Sequence, residues 1–147
     1  MIATFENCLK NRRIIHFPEA IHLVEPEIED AINDLKSAKE ELKRGGHKWA
    51  TIKGYYSMFH SARALLHSMG YRERGHYCLY LAINEFFVKT KKLHSKLVED
   101  FKNSMILRED ADYGRGFSND GAMATIKCAT AFLKEAKIIL KKQQKRN

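Results

Sequence analysis

Proline occurs only at Pro18 and Pro26, so residues 27–147 carry nothing that removes a backbone donor and clashes with the preceding turn. That much uninterrupted backbone is free to run helix after helix, and the apolar spacing says that it does. Residues 27–44 put Ile28, Ala31, Ile32, Leu35, Ala38 and Leu42 on one stripe, with Glu and Lys on the other face. Gly45-Gly46 then stops the run as a C-terminal cap would. Residues 48–69 step through Trp49, Ile52, Tyr56, Phe59, Ala62, Leu66 and Met69 before Gly70. The opposite side of this helix carries Gly54, Ser57, Ser61 and Ala64, small enough to let another helix come close. A helix that is apolar or small on most sides belongs at the centre of a bundle.

A third helix is expected over about 76–89, with Tyr80, Ile83 and Phe87 inward, followed by a short basic turn at 90–93. Ser95 is a candidate N-cap for a fourth helix bearing Leu97, Phe101 and Met105 or Ser104. Ser118 or Asn119 is a candidate cap for the last, whose stripe runs from Ala122 through Ile126, Ala129, Phe132 or Leu133 and Ala136 to Ile139 or Leu140. Residues 3–11 read as a short helix and the stretch around Pro18 as irregular. The expectation is one all-α domain over 1–147, an antiparallel up-and-down bundle of four long helices plus a short one. Residues 1–25 form an N-terminal extension, 26–140 the bundle and 141–147 a basic tail.

Lys and Arg outnumber Asp and Glu by 26 to 18, a net charge of +8. That balance favours anionic partners without naming one. Three widely spaced cysteines, Cys8, Cys78 and Cys128, read as free thiols in a reducing compartment. No apolar run is long enough to span a bilayer, and no basic segment leads into an apolar run at the N-terminus. A cytoplasmic protein with no membrane partner is expected.

The stretch 107–116, Leu-Arg-Glu-Asp-Ala-Asp-Tyr-Gly-Arg-Gly, concentrates chemistry at a helix end. Arg108 offers a planar fork of donors suited to phosphate, and Tyr113 a ring that can stack on a base. Asp112 lies one turn from Arg108, so an i,i+4 ion pair worth a few tenths of a kcal/mol is the simpler use of both.

The block 55–66, Tyr-Tyr-Ser-Met-Phe-His-Ser-Ala-Arg-Ala-Leu-Leu, followed by 107–114, Leu-Arg-Glu-Asp-Ala-Asp-Tyr-Gly, resembles the HEPN (higher eukaryotes and prokaryotes nucleotide-binding) family. The resemblance covers roughly residues 27–140 and is closest to small stand-alone prokaryotic members. It implies a helical bundle that forms a homodimer, in a family with many ribonucleases, often toxins paired with a separate nucleotidyltransferase. It also implies a site made of an arginine followed four to six residues later by a histidine. Arg108 falls on the arginine, and Tyr113 stands where the histidine would be. A phenol with a pKa of about 10 is a poor base beside an imidazole of about 6.5.

Arg108, Asp112 and Tyr113 are therefore the candidate catalytic positions, and Tyr55, His60, Arg63, Arg72, Arg74 and His76 the candidate ligand contacts. Tyr56 and Phe59 are expected in the core, while Tyr55, His60 and Arg63 edge a cleft. Arg63, on an apolar helix, needs a partner such as Asp112. Arg72, Arg74 and His76 are expected in a basic loop. The seven histidines show no His-x-x-x-His pair, so no metal site is expected; no phosphate loop appears, so no cofactor is expected either. The leading expectation is a nucleotide- or RNA-binding module, with a separate nucleotidyltransferase as candidate partner. The alternative is a ribonuclease toxin of a two-component system with an altered Arg/His motif.

Overall fold

The structure, a computed structural model, describes residues 3–146. Its helices are α1 (Phe5–Lys10), α2 (Val24–Lys43), α3 (His47–Ser68), α4 (His76–Ile83), α5 (Ser95–Asp112) and α6 (Asn119–Arg146). Two short strands, β1 (Ile14–His16) and β2 (Tyr71–Glu73), pair antiparallel with Ile14 opposite Glu73. A 3-10 turn (Pro18–Leu23) leads from β1 into α2, and a π-helical segment (Asn84–Val88) prolongs α4. The architecture is all-α, as the periodicity demands. Pro26 is accommodated because it sits in the first turn of α2, where amides lack intrahelical partners.

Helix α3 lies at the centre, packed against α2, α4, α5 and α6. Its small residues serve two neighbours. The Ser57 hydroxyl donates to the Ala31 carbonyl of α2 at 2.7 Å. A Cβ added at Gly54 would stand 3.0 Å from Thr125 Cγ2 and 3.6 Å from the Ile126 backbone nitrogen on α6. That spacing leaves no room for a longer side chain. Gly54→Leu is expected to destabilise the bundle by about 2 kcal/mol, within the range typical of overpacking. A urea midpoint unchanged from the parent would contradict the close α3–α6 approach.

The helix ends follow from local chemistry. Gly45 takes φ +78° after α2, a conformation in which a Cβ is strained. Ser118 Oγ accepts from the Gly121 amide at 2.9 Å and caps α6, as expected. Helix α5 is capped by His94 rather than Ser95: the imidazole Nδ1 accepts the Lys96 amide at 3.0 Å. An imidazole can do what a hydroxyl usually does at this position, which residue preferences do not anticipate.

Three further expectations need correction. The stretch 71–73, expected in a loop, is a strand because residues 14–16 supply its ladder partner. Trp49, Ile32 and Met69, placed inward by helical spacing, are exposed at the margins of their stripes. The cysteines are not all free. Cys8 of α1 and Cys78 of α4 form a disulfide across 70 residues of sequence, leaving Cys128 as the free thiol among the described residues. Spacing could not show this, because the pairing depends on α1 folding back onto α4.

Candidate functional site

Arg108 projects from the last turns of α5 toward α3, where consecutive tyrosines receive it. Its guanidinium carbon lies 5.3 Å from the Tyr55 ring centre and 5.8 Å from that of Tyr56, both cation–π distances. Nη1 reaches Asp112 Oδ2 at 3.3 Å, so the i,i+4 pair does form. The arginine side chain is 12% exposed and its carboxylate partner 41%, so the anion is the solvent-facing member. Nε is enclosed without an acceptor among the described residues. Such an orphaned donor costs free energy in the unliganded protein. Helix α5 ends just beyond, where Gly114 at φ +70° reverses the chain.

Tyr55 is fully buried and forms the floor of this site. Phe101 and His76 both stack near it, at 5.7 Å between ring centres. The phenol oxygen is 2.5 Å from His76 Nδ1. Burial pushes the phenol well above its ordinary pKa despite the opposing charge of Arg108. His76, the first residue of α4, also stacks on Phe59 at 4.5 Å. Its pKa is lowered by burial and, next, by the positive charge of Arg108, so the ring is neutral at neutral pH.

A second polar cluster continues along α3. Arg63 donates from Nη2 to Glu73 Oε2 at 2.8 Å and from Nε to both oxygens of the same carboxylate, at 3.1 and 3.3 Å. Its Nη1 reaches Glu27 at 3.5 Å, and the guanidinium lies 4.7 Å from the Phe59 ring centre. The other oxygen of Glu27 meets His60 Nδ1 at 2.6 Å, and Asp34 lies 3.5 Å from His60 Nε2. Burial opposes a charge on His60, but the Glu27 hydrogen bond and the charges of Glu27 and Asp34 outweigh it and raise the pKa. Burial likewise opposes the Glu27 carboxylate, yet His60 and Arg63 hold its pKa below the usual value.

The candidate residues thus divide. Tyr55, His76, Arg108 and Asp112 converge. His60 and Arg63 belong to the carboxylate cluster, so Arg63 is partnered by Glu73 and Glu27 rather than by Asp112. Arg72 stacks over Phe17 at 5.0 Å, and Arg74 is exposed with its amide bonded to the Arg13 carbonyl. Tyr113 is 72% exposed and lies beside Arg115, 5.4 Å from ring centre to guanidinium. Tyr55 and Tyr56 exchange their expected places: Tyr55 is in the core and Tyr56 half-buried at the site. Glu27, Glu73 and Tyr56 went unrecognised in the sequence. The one usable signal was Arg63 itself, a cation on an apolar helix that requires a buried carboxylate.

Glu27, Asp30 and His60 bring potential ligand atoms within 4.8 Å of one another. The same Glu27 already serves Arg63, a cation that a divalent metal would have to tolerate at close range. The donor set therefore fits an ion-pair network better than a metal centre.

Among the described residues, no helix is long and apolar enough to cross a membrane. The HEPN domain model matches residues 24–145, a stretch that takes in α2 to α5, all but the last residue of α6 and both polar clusters. A UPF0332 protein of Archaeoglobus fulgidus is 30% identical over 116 residues, which covers 75% of this chain and 89% of that protein. The chain belongs to the HEPN domain family, a class of helical modules related in general to nucleotides and RNA.

Proposed function

We propose that the protein binds RNA or a nucleotide at the face formed by Arg108, Tyr56 and His76, over the buried Tyr55. The observation that carries this reading is the setting of Arg108. Two aromatic rings hold the guanidinium, and its only ion-pair partner among the described residues is a half-exposed carboxylate that a phosphate can displace. The ring of Tyr56 and the exposed ring of Tyr113 offer stacking surfaces at either side of the helix end. A net charge of +8 adds long-range attraction.

A homodimer accompanies this reading. Ile106, Leu107, Tyr113 and Phe117 are exposed around the end of α5, and Leu107 and Phe117 line a depression of about 220 Å³ with Thr51 and Gly121. Apolar surface so close to the site suits a second copy. A separate nucleotidyltransferase is the protein partner we infer with it. The Cys8–Cys78 disulfide removes the free-thiol ground for a reducing, cytoplasmic setting, and only the RNA ligand of this reading still favours that setting.

Affinity for a short single-stranded RNA is expected to fall about tenfold or more in Arg108→Ala, the usual worth of a charge-assisted hydrogen bond. The slope of log affinity against log salt is expected to drop by about one phosphate contact. A fluorescence titration measures both, with sedimentation reporting the oligomer. Equal RNA affinity in the parent and Arg108→Ala would remove the site.

A further inference from the structure

The geometry points to His76 as a neutral Nε2–H donor that, together with Arg108, grips the oxygens of a phosphate group, its tautomer fixed by the buried phenol of Tyr55. This rests on the reading that the Arg108 face binds RNA phosphate, and it states what the site does to that phosphate. It holds the group and does not begin its cleavage.

Tyr55 is fully buried, so its hydroxyl hydrogen needs an acceptor inside the protein. The groups acting on that oxygen are His76 Nδ1, at 2.5 Å, and the Arg108 guanidinium. Arginine has donors and no acceptor, so the hydrogen goes to Nδ1. A neutral imidazole whose Nδ1 accepts must carry its own hydrogen on Nε2. Burial and the nearby cation both favour that neutral form. Nε2 has no hydrogen-bond partner among the described residues, yet it is not one of the enclosed orphaned atoms. With Phe59 stacked on the ring and Tyr55 at the Nδ1 edge, the half-exposed side of the imidazole carries Nε2–H toward solvent.

The consequence separates binding from catalysis. Abstracting a proton from a ribose 2′-hydroxyl requires a free imidazole lone pair. Here one nitrogen is engaged by the phenol and the other bears hydrogen. The ring instead adds a second donor beside Arg108, and two donors of different geometry suit two oxygens of one phosphate. This imidazole comes from α4, some thirty residues before the arginine, and not from position 113.

The test uses the full chain. With ¹⁵N-labelled histidine at neutral pH, His76 is expected to show an unprotonated Nδ1 and a protonated Nε2. Titrations then use inorganic phosphate and a short oligouridylate on the parent, His76→Ala, His76→Gln and Arg108→Ala, with circular dichroism to verify folding. Loss of the neutral donor in His76→Ala is expected to weaken binding by about fivefold. His76→Gln is expected to restore most of it, since its amide nitrogen reaches the place of Nε2. A protonated Nδ1 with a bare Nε2 in the parent would overturn the assignment. So would unchanged binding in His76→Ala alongside weakened binding in Arg108→Ala, which leaves the RNA-binding reading intact. RNA cleavage by the parent that is lost in His76→Gln would also overturn it. If Arg108→Ala binds like the parent, the RNA-binding reading itself is lost.

Discussion

Arg63→Ala is expected to destabilise the protein by about 3 kcal/mol, the low end of the range seen when one member of a buried ion pair is removed, because the arginine side chain itself is 31% exposed. The Glu73 side chain is 3% exposed and that of Glu27 13%, so neither carboxylate can recover full hydration once the guanidinium is gone. The arginine joins three elements: it projects from α3, grips Glu73 on β2 with a fork of donors, and touches Glu27 in the first turn of α2. Lysine offers one compact charge instead of a fork, so Arg63→Lys is expected to recover only part of the loss. In Arg63→Ala the Glu27 carboxylate keeps His60 but loses the nearby charge of Arg63, one of the causes that hold its pKa low, so its folded pKa rises toward the unfolded value. The variant's deficit should therefore shrink as pH falls. Urea unfolding at pH 7 and pH 5 checks both statements. A midpoint like the parent's, or a deficit that grows in acid, would show that Glu73 is not held by this arginine.

Most of the fold was legible because it is written in local periodicity. The stripe Ala122–Leu140 of α6 is buried at every position read inward, and Phe101 and Met105 of α5 likewise. The site was legible only in part. Arg108 and Asp112 sit one turn apart on one helix, so their pairing follows from spacing alone. What surrounds them comes from elsewhere: His76 is placed by α4, and Tyr55 and Tyr56 differ only by the 100° between consecutive helical residues. A small error in the orientation of α3 exchanges a core tyrosine for a site tyrosine. The β1–β2 pairing and the Arg63–Glu73–Glu27 cluster join residues distant in sequence, with no periodic signal to announce them. Tyr113 stands out through its position in a motif, but its ring is exposed and its cation contact is Arg115.

Reducing the Cys8–Cys78 disulfide is expected to lower stability by about 4 kcal/mol on the chain-entropy model for a loop of this length, or somewhat less where the unfolded chain retains structure. The loss should be uneven. Helix α1 spans six residues, too few to persist without tertiary support. Beside the disulfide, Phe5 of α1 meets Phe86 edge-on at 5.4 Å, and the β1–β2 ladder that follows holds three residues of each strand. Reduction is therefore expected to raise amide exchange first in residues 8–16 and 71–73, while the interiors of α3 and α6 stay protected. Cys8→Ser should reproduce the effect, and Cys128→Ser, at a half-buried free thiol, should not. Alkylation of the unfolded, non-reduced protein should label one cysteine of the three. Labelling of all three in air-oxidised protein would deny the bond, and identical melting with and without reductant would deny its energetic weight. The bond also lies two residues from His76, at the start of α4. A loosened α4 would let the imidazole move from the Tyr55 phenol, so reduction should weaken phosphate binding even where the long helices remain folded.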